Sequence, residues 1–364
     1  MISCNDQYEL SKTDTQMAKG IAILGMVMLH LFCRLDNLPY TPLIYIGEKP
    51  LIYYFGLFGD MCLPIYCFCS GYAHYLLREK EAEAYSRRIP ERLFRFLSNY
   101  WIILILFSVL GFFFDKTGEI PGSVSGFLGN LLLYNVSYNG AWWFVVTYVI
   151  IMILSPCLCW LSRRIPTIIL MIASGSIYFV AYLFRFVLAL EFDSPVLSWI
   201  WTQWVLLGTS QFGYILGMVF RKNRWISWLR SYFSRVGNSA AQSKAINRCV
   251  IHGVPLILFF VHCIEPSLIV APITGLGTVV CFWLWRKPRW AEQSFLFFGK
   301  HSTNIWLVHM FFYSVLFRKY IFYFKFPILI FVAMLGITVA ISMLVNHMHS
   351  LFICAVKNAI LKDN

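Results

Sequence analysis

The sequence has little charge: Asp, Glu, Lys and Arg make up 13% of its 364 residues, against 59% hydrophobic residues. A soluble domain devotes roughly a quarter of its residues to charge, so this balance excludes an ordinary water-soluble fold and points to a polytopic membrane protein. Carboxylates are the scarcer sign, with 17 Asp and Glu against 30 Lys and Arg. Inside the apolar runs Asp60 is the clearest one, fewer than a proton-coupled carrier usually places in its spans. The eleven cysteines show neither a zinc-ligand spacing nor a readable disulfide framework, and no metal is expected. They lie mostly in apolar runs and read as small buried hydrophobes, with Cys67 and Cys69, and Cys157 and Cys159, on different helix faces. The polar first seventeen residues are not followed by a short hydrophobic core and small-residue cleavage site, so the first apolar run is expected to stay in the mature protein. No internal repeat has a matched period.

What the chain does have is apolar length. Ten stretches long enough to span a bilayer run at about 18–35, 51–77, 96–114, 141–162, 166–190, 197–220, 249–264, 267–285, 302–317 and 326–346. With a cytoplasmic amino terminus, 23 Lys and Arg fall on the cytoplasmic side and 7 on the other, the asymmetry that orients membrane helices. The net charge of +13 is therefore a topology signal and not a nucleic-acid surface. The expected fold is all-α, with about ten transmembrane helices, both termini cytoplasmic, and one membrane domain over residues 1–364. The longest part outside the spans is a cytoplasmic basic loop at 221–248. Its stretch RKNRWISWLRSYFSR mixes aromatics and cations as an interfacial helix on an anionic leaflet does, with a lipid-headgroup site as the second reading.

Ionisable groups inside a span are costly and mark candidate sites. In AKGIAILGMVMLHLF, Lys19 and His30 are eleven residues apart, which on a helix puts them on one face about 16 Å apart, with the cation at a water boundary and the imidazole deep inside. A neutral imidazole is a proton acceptor near neutral pH and suits a general base, although a histidine hydrogen-bonded between helices has the same signature. In LPIYCFCSGYAHYLLREK, Ser70 and Gly71 permit close helix packing, and Ser70 is a candidate oxyanion donor. In RRIPERLFRFLSNYW, Arg92 and Arg95 share a helix face, fitting a phosphate clamp or ordinary cytoplasmic anchoring. In FFGKHSTNIWLVHMFF, Ser302, Asn304 and His309 are candidate cavity or oxyanion residues, Ser302 and His309 pointing roughly the same way. The adjacent tryptophans of NGAWWFVVTY fit an outer aromatic belt at least as well as a substrate platform.

The order of these pieces is more specific than any one of them. A cation followed by G-I-A-I-L with His eleven residues on, an apolar run ending in SGY, R-x-x-R, WWF and GK-x-S-x-x-I-W-L-V-H together resemble the acyltransferase-3 family of integral membrane acyltransferases over nearly the whole chain. The resemblance implies transfer of an acyl group, usually acetyl, from cytoplasmic acyl-CoA to a hydroxyl of a cell-surface polysaccharide or its lipid-linked precursor, in the cytoplasmic (inner) membrane. It also implies His30 as the catalytic base and Lys19, Arg92 and Arg95 as acyl-CoA contacts. Lys19 stands where the family commonly has arginine, which keeps the charge and gives up the two-pronged geometry. Implied partners are acetyl-CoA or another acyl-CoA, a glycan acceptor and the bilayer. The rival class is a transporter or flippase of a lipid-linked glycan or small solute, compatible with broken helices and a buried histidine.

Overall fold

A computed structural model gives the fold, describing residues 9–188, 190–235, 240–264, 267 and 269–362. Among the described residues it is helical almost throughout, the only strands being a two-residue hairpin, Tyr45–Ile46 with Lys49–Pro50. The helices are α1 (Lys12–Phe32), α2 (Leu51–Phe58), α3 (Cys62–Glu81), α4 (Ala84–Arg87), α5 (Ile89–Phe114), α6 (Val124–Leu131), α7 (Trp143–Arg164) and α8 (Thr167–Phe186). They continue with α9 (Pro195–Lys222), α10 (Trp225–Arg235), α11 (Ala240–Ile264), α12 (Ala271–Leu284), α13 (Arg289–Met310), α14 (Arg318–Phe322) and α15 (Pro327–Lys362).

Among the described residues, helix covers most of each of the ten apolar stretches. By length and hydropathy seven helices among the described residues qualify as spans, and α12, at 14 residues, is shorter. The helices α9 and α13 are long enough but interrupt their apolar runs with residues such as Gln203, Gln211, Ser302 and Asn304. Helix α1 starts six residues before the apolar stretch because Ser11 and Asp14 cap it: the Ser11 hydroxyl accepts from the Asp14 N–H at 3.0 Å, and the Asp14 carboxylate accepts from the Ser11 N–H at 2.9 Å. The segment 221–248 is largely helical, formed by the end of α9, by α10 and by the start of α11.

The chain forms two compact units. The first comprises Met1–Leu29, Tyr54–Ser86 and Ile153–Lys300. Its centre is α3 packed against α9, where backbones touch: a Cβ on Gly71 would lie 1.9 Å from the Tyr214 carbonyl oxygen, and one on Gly217 would lie 2.1 Å from that of Phe68. Without a hydrophobic force between helices in lipid, such small-residue contacts are a main source of packing energy. Beside them His74 Nδ1 lies 2.7 Å from the Tyr214 hydroxyl. At one end of α9, Arg221 is buried between Glu79, at 2.8 Å, and Glu9, at 3.6 Å, and the Tyr72 and Ser227 hydroxyls also donate to Glu9. Arg221 is thus a core cation and not, as its place in a basic aromatic stretch suggests, a leaflet contact. Trp228 and Tyr232 on α10 are the exposed, stacked pair, 5.6 Å apart.

The second unit comprises His30–Tyr53, Arg87–Met152 and His301–Asn364. Its core is aromatic, with Phe107 stacked on Phe311 at 4.0 Å and Trp142 edge-on to both Tyr100 and Phe311. Polar side chains join its helices: Asn99 of α5 donates to Asn304 of α13 at 2.7 Å, Asn304 donates to Asn346 of α15 at 3.0 Å, and Ser98 lies 2.9 Å from His349. In an apolar surround each such amide must find its partner within the protein, which makes the register of the three helices specific.

Candidate active site

The second unit holds six of the eight residues singled out in the sequence: His30, Arg92, Arg95, Ser302, Asn304 and His309. Lys19 and Ser70 belong to the first. The two groups meet different fates.

His30, in the last turn of α1, is partly buried. Its ring lies 4.7 Å from that of His309, with the planes tilted by 47°, and 6.0 Å from that of Tyr313. His309 is 1% exposed, and its Nδ1 sits 2.6 Å from the Trp306 carbonyl oxygen. A carbonyl only accepts, so Nδ1 carries the proton and Nε2 is left as a bare lone pair. Among the described residues that Nε2 is buried with no hydrogen-bond partner. Leaving a buried acceptor unsatisfied costs about 1–3 kcal/mol, so the arrangement is unfavourable for a purely structural histidine.

The segment before α7 explains how His309 is fixed. Asn139 and the Trp142 indole both donate to the Leu307 carbonyl, each at 2.9 Å, while the Trp306 indole donates back to the Ala141 carbonyl at 3.3 Å. Trp142 is fully buried. It belongs neither to an aromatic belt nor to a substrate platform; it is a clamp on the turn of α13 that carries His309. Directly after that turn the helix widens into a π turn, Phe311–Val315, which brings Tyr313 beside His30. Such turns recur at functional positions.

Asn304 is committed. It accepts from Asn99 and donates to Asn346, so its amide ties helices together instead of facing a developing oxyanion. Ser302 is fully buried in the same stretch. Arg92 and Arg95 lie in the first two turns of α5. Arg92 is partly buried, whereas Arg95 is exposed and pairs with Glu91 at 2.7 Å, both side chains more than half exposed. Exposed pairs of this kind contribute little, so Arg95 can exchange Glu91 for another anion at small cost. Along α5, Arg92, Arg95 and Asn99 recur at helical spacing, giving one face that is cationic at the helix start and amide-lined a turn later.

In the first unit Lys19 lies on α1, where its carbonyl accepts from the Tyr66 hydroxyl at 3.4 Å. Ser70 is partly exposed, and its neighbour Gly71 serves the α3–α9 contact described above. In the same unit the partly buried Asp60 pairs with the buried His262 at 3.1 Å, a partner that the isolated carboxylate in the sequence gave no sign of. All ten cysteines among the described residues are free thiols, and no group of three or more metal-ligating side chains occurs among the described residues.

Two imidazoles in ring contact therefore sit in a chain whose helices are long and apolar enough to cross a membrane. Its sequence matches the family model of an acyltransferase domain over residues 16–347, and the chain belongs to the acyltransferase-3 family. It is an acyltransferase of helical, membrane-spanning type. No curated protein and no solved structure matches it.

Proposed function

We propose that this acyltransferase moves an acyl group, acetyl being the expected one, from cytoplasmic acyl-CoA to a hydroxyl of a cell-surface polysaccharide or its lipid-linked precursor. It would work as a multi-pass protein of the cytoplasmic membrane with both termini in the cytosol, an orientation supported by the 23-to-7 distribution of basic residues. His30 is the general base. It removes the proton of the acceptor hydroxyl as that oxygen attacks the thioester carbonyl; the C–S bond breaks, and the thiolate leaves with the proton from His30. A well-placed base commonly contributes 10²–10⁴-fold.

The observation that carries this reading is the placement of the His30 ring against His309 in a protein whose family transfers acyl groups. Coenzyme A is polyanionic, and the forked guanidiniums of Arg92 and Arg95 at the start of α5 suit its phosphates. Ser302 remains as a candidate oxyanion donor.

The test is release of CoA thiol from acetyl-CoA by purified protein supplied with a glycan acceptor, alongside mass spectrometry of surface glycans from cells with and without the gene. Wild-type protein should release thiol and add an ester-linked acyl mass. His30→Ala should insert normally and lose transfer by at least ~100-fold; substantial activity in the inserted variant would remove His30 from the chemistry.

A further inference from the structure

His309 offers one polar atom, Nε2, that no described residue uses. Its Nδ1 proton is engaged by the Trp306 carbonyl at 2.6 Å, and the carbonyl of the next residue, Leu307, is held by Asn139 and Trp142. The turn is therefore braced on two consecutive carbonyls, and the ring cannot swap its nitrogens without losing the Nδ1 bond. The imidazole in contact with the His309 ring is that of His30, with 4.7 Å between ring centroids, and the Nε2 lone pair has no hydrogen-bond partner among the described residues. A centroid separation of 4.7 Å is short enough for a nitrogen of each ring to come within the roughly 2.7–3.2 Å of a hydrogen bond when the His30 ring turns.

Resting on the reading of His30 as base, we propose that His309 is its positioning residue: the Nε2 lone pair of His309 receives an N–H of His30, leaving the other His30 nitrogen bare toward the acceptor hydroxyl. The order of groups is then backbone carbonyl, His309, His30, substrate, each imidazole with its tautomer set by the one behind it. When His30 takes the acceptor proton it becomes an imidazolium with two N–H groups. One is stabilised by His309, and the other returns its proton to the departing thiolate. No proton leaves the chain of groups, and His309 itself stays neutral throughout. The arrangement does for His30 what a buried carboxylate does for the histidine of a Ser-His-Asp triad, but without placing a negative charge in an apolar surround.

Three substitutions at one position test this. His309→Gln keeps an acceptor oxygen near the Nε2 position, His309→Asn keeps a donor near Nδ1 but falls short of His30, and His309→Leu fills the space with neither. With membrane insertion checked for each, kcat should fall by ~100-fold or more in Leu and Asn and by about tenfold or less in Gln, with the KM for acyl-CoA within about twofold of wild type in all three. Equal losses in Gln, Asn and Leu would mean that His309 only fills space, and unchanged kcat in Leu would mean it does nothing for His30; either overturns the proposal. The wild-type and His30→Ala reactions run beside them separate the two levels: if wild type releases no thiol, or His30→Ala is fully active, the reading of His30 has failed. If those behave as expected and the His309 series is flat, only the pairing has failed.

Discussion

At the scale of the residue, the sequence marks which side chains are unusual without saying which meet. His30 and His309 each stand out as an imidazole in an apolar run, but their contact joins residues 279 positions apart and depends on how α1 and α13 fold together. The place of Trp142 is hidden for a related reason: an indole leaves the same trace in a sequence whether its N–H faces interfacial water or, as here, the Leu307 carbonyl. Asn304 carried a weak polar signal, and its real partners on α5 and α15 could not be inferred from spacing. The two arginines were legible as a pair, yet the structure makes them unequal. Arg95 is exposed and already paired with Glu91, whereas Arg92 is partly buried. On the proposed reading that these arginines hold the phosphates of acyl-CoA, a partly buried guanidinium would meet phosphate in a lower dielectric, where the contact is stronger and less screened. Arg92→Ala should therefore raise the KM for acyl-CoA by about 10–100-fold, the equivalent of a charge-assisted bond of about 1.5–3 kcal/mol, and Arg95→Ala by only a few fold. Steady-state kinetics at low and 0.5 M salt check it, and an equal effect of the two would sink the ranking.

At the scale of the element, hydropathy located the helices well because an apolar run in lipid has few alternatives to helix. It located their ends poorly. Helix α15 runs to Lys362, about 54 Å in length and well beyond the ~30 Å of hydrocarbon, and α13 begins thirteen residues before its apolar stretch. Helix propensity carries these helices past their apolar stretches, and a hydropathy window is blind to it. What the sequence did suggest is that Ser70 and Gly71 permit close packing, and the α3–α9 contact is the outcome. Gly71→Ala should consequently force the two backbones apart and lower stability by about 1–3 kcal/mol. The control is Gly336→Ala in α15, where an added Cβ meets nothing within 4 Å, so the change should be neutral or slightly stabilising through helix propensity. Thermal unfolding in detergent distinguishes them, and a Gly71→Ala protein as stable as wild type would show that the contact can relax.

At the scale of the whole molecule, the family match over residues 16–347 fits the sequence reading that the resemblance covers nearly the entire chain. The division into two compact units was not legible, because each is assembled from three separated segments and no linker composition marks a boundary. Stability of the whole also has a pH dependence that composition conceals. Lys287, between α12 and α13, donates to the carbonyls of Phe282 and Trp285 and lies 4.0 Å from the Phe282 ring. Burial pushes its ammonium down to about 8, with Asp14 and Glu292 opposing the fall and Arg230 adding to it. In the unfolded chain the same group holds its proton to about 10.4. Between those two values the unfolded state binds more protons than the folded state, so stability attributable to Lys287 rises with pH across that window, and below pH 8 the partly buried charge is a standing cost. Other groups titrate there too, and subtracting a Lys287→Met variant removes their contribution. The difference in unfolding temperature, wild type minus Lys287→Met, should therefore climb from pH 7.5 to pH 10, and a flat difference would mean that Lys287 keeps an ordinary proton affinity in the folded protein.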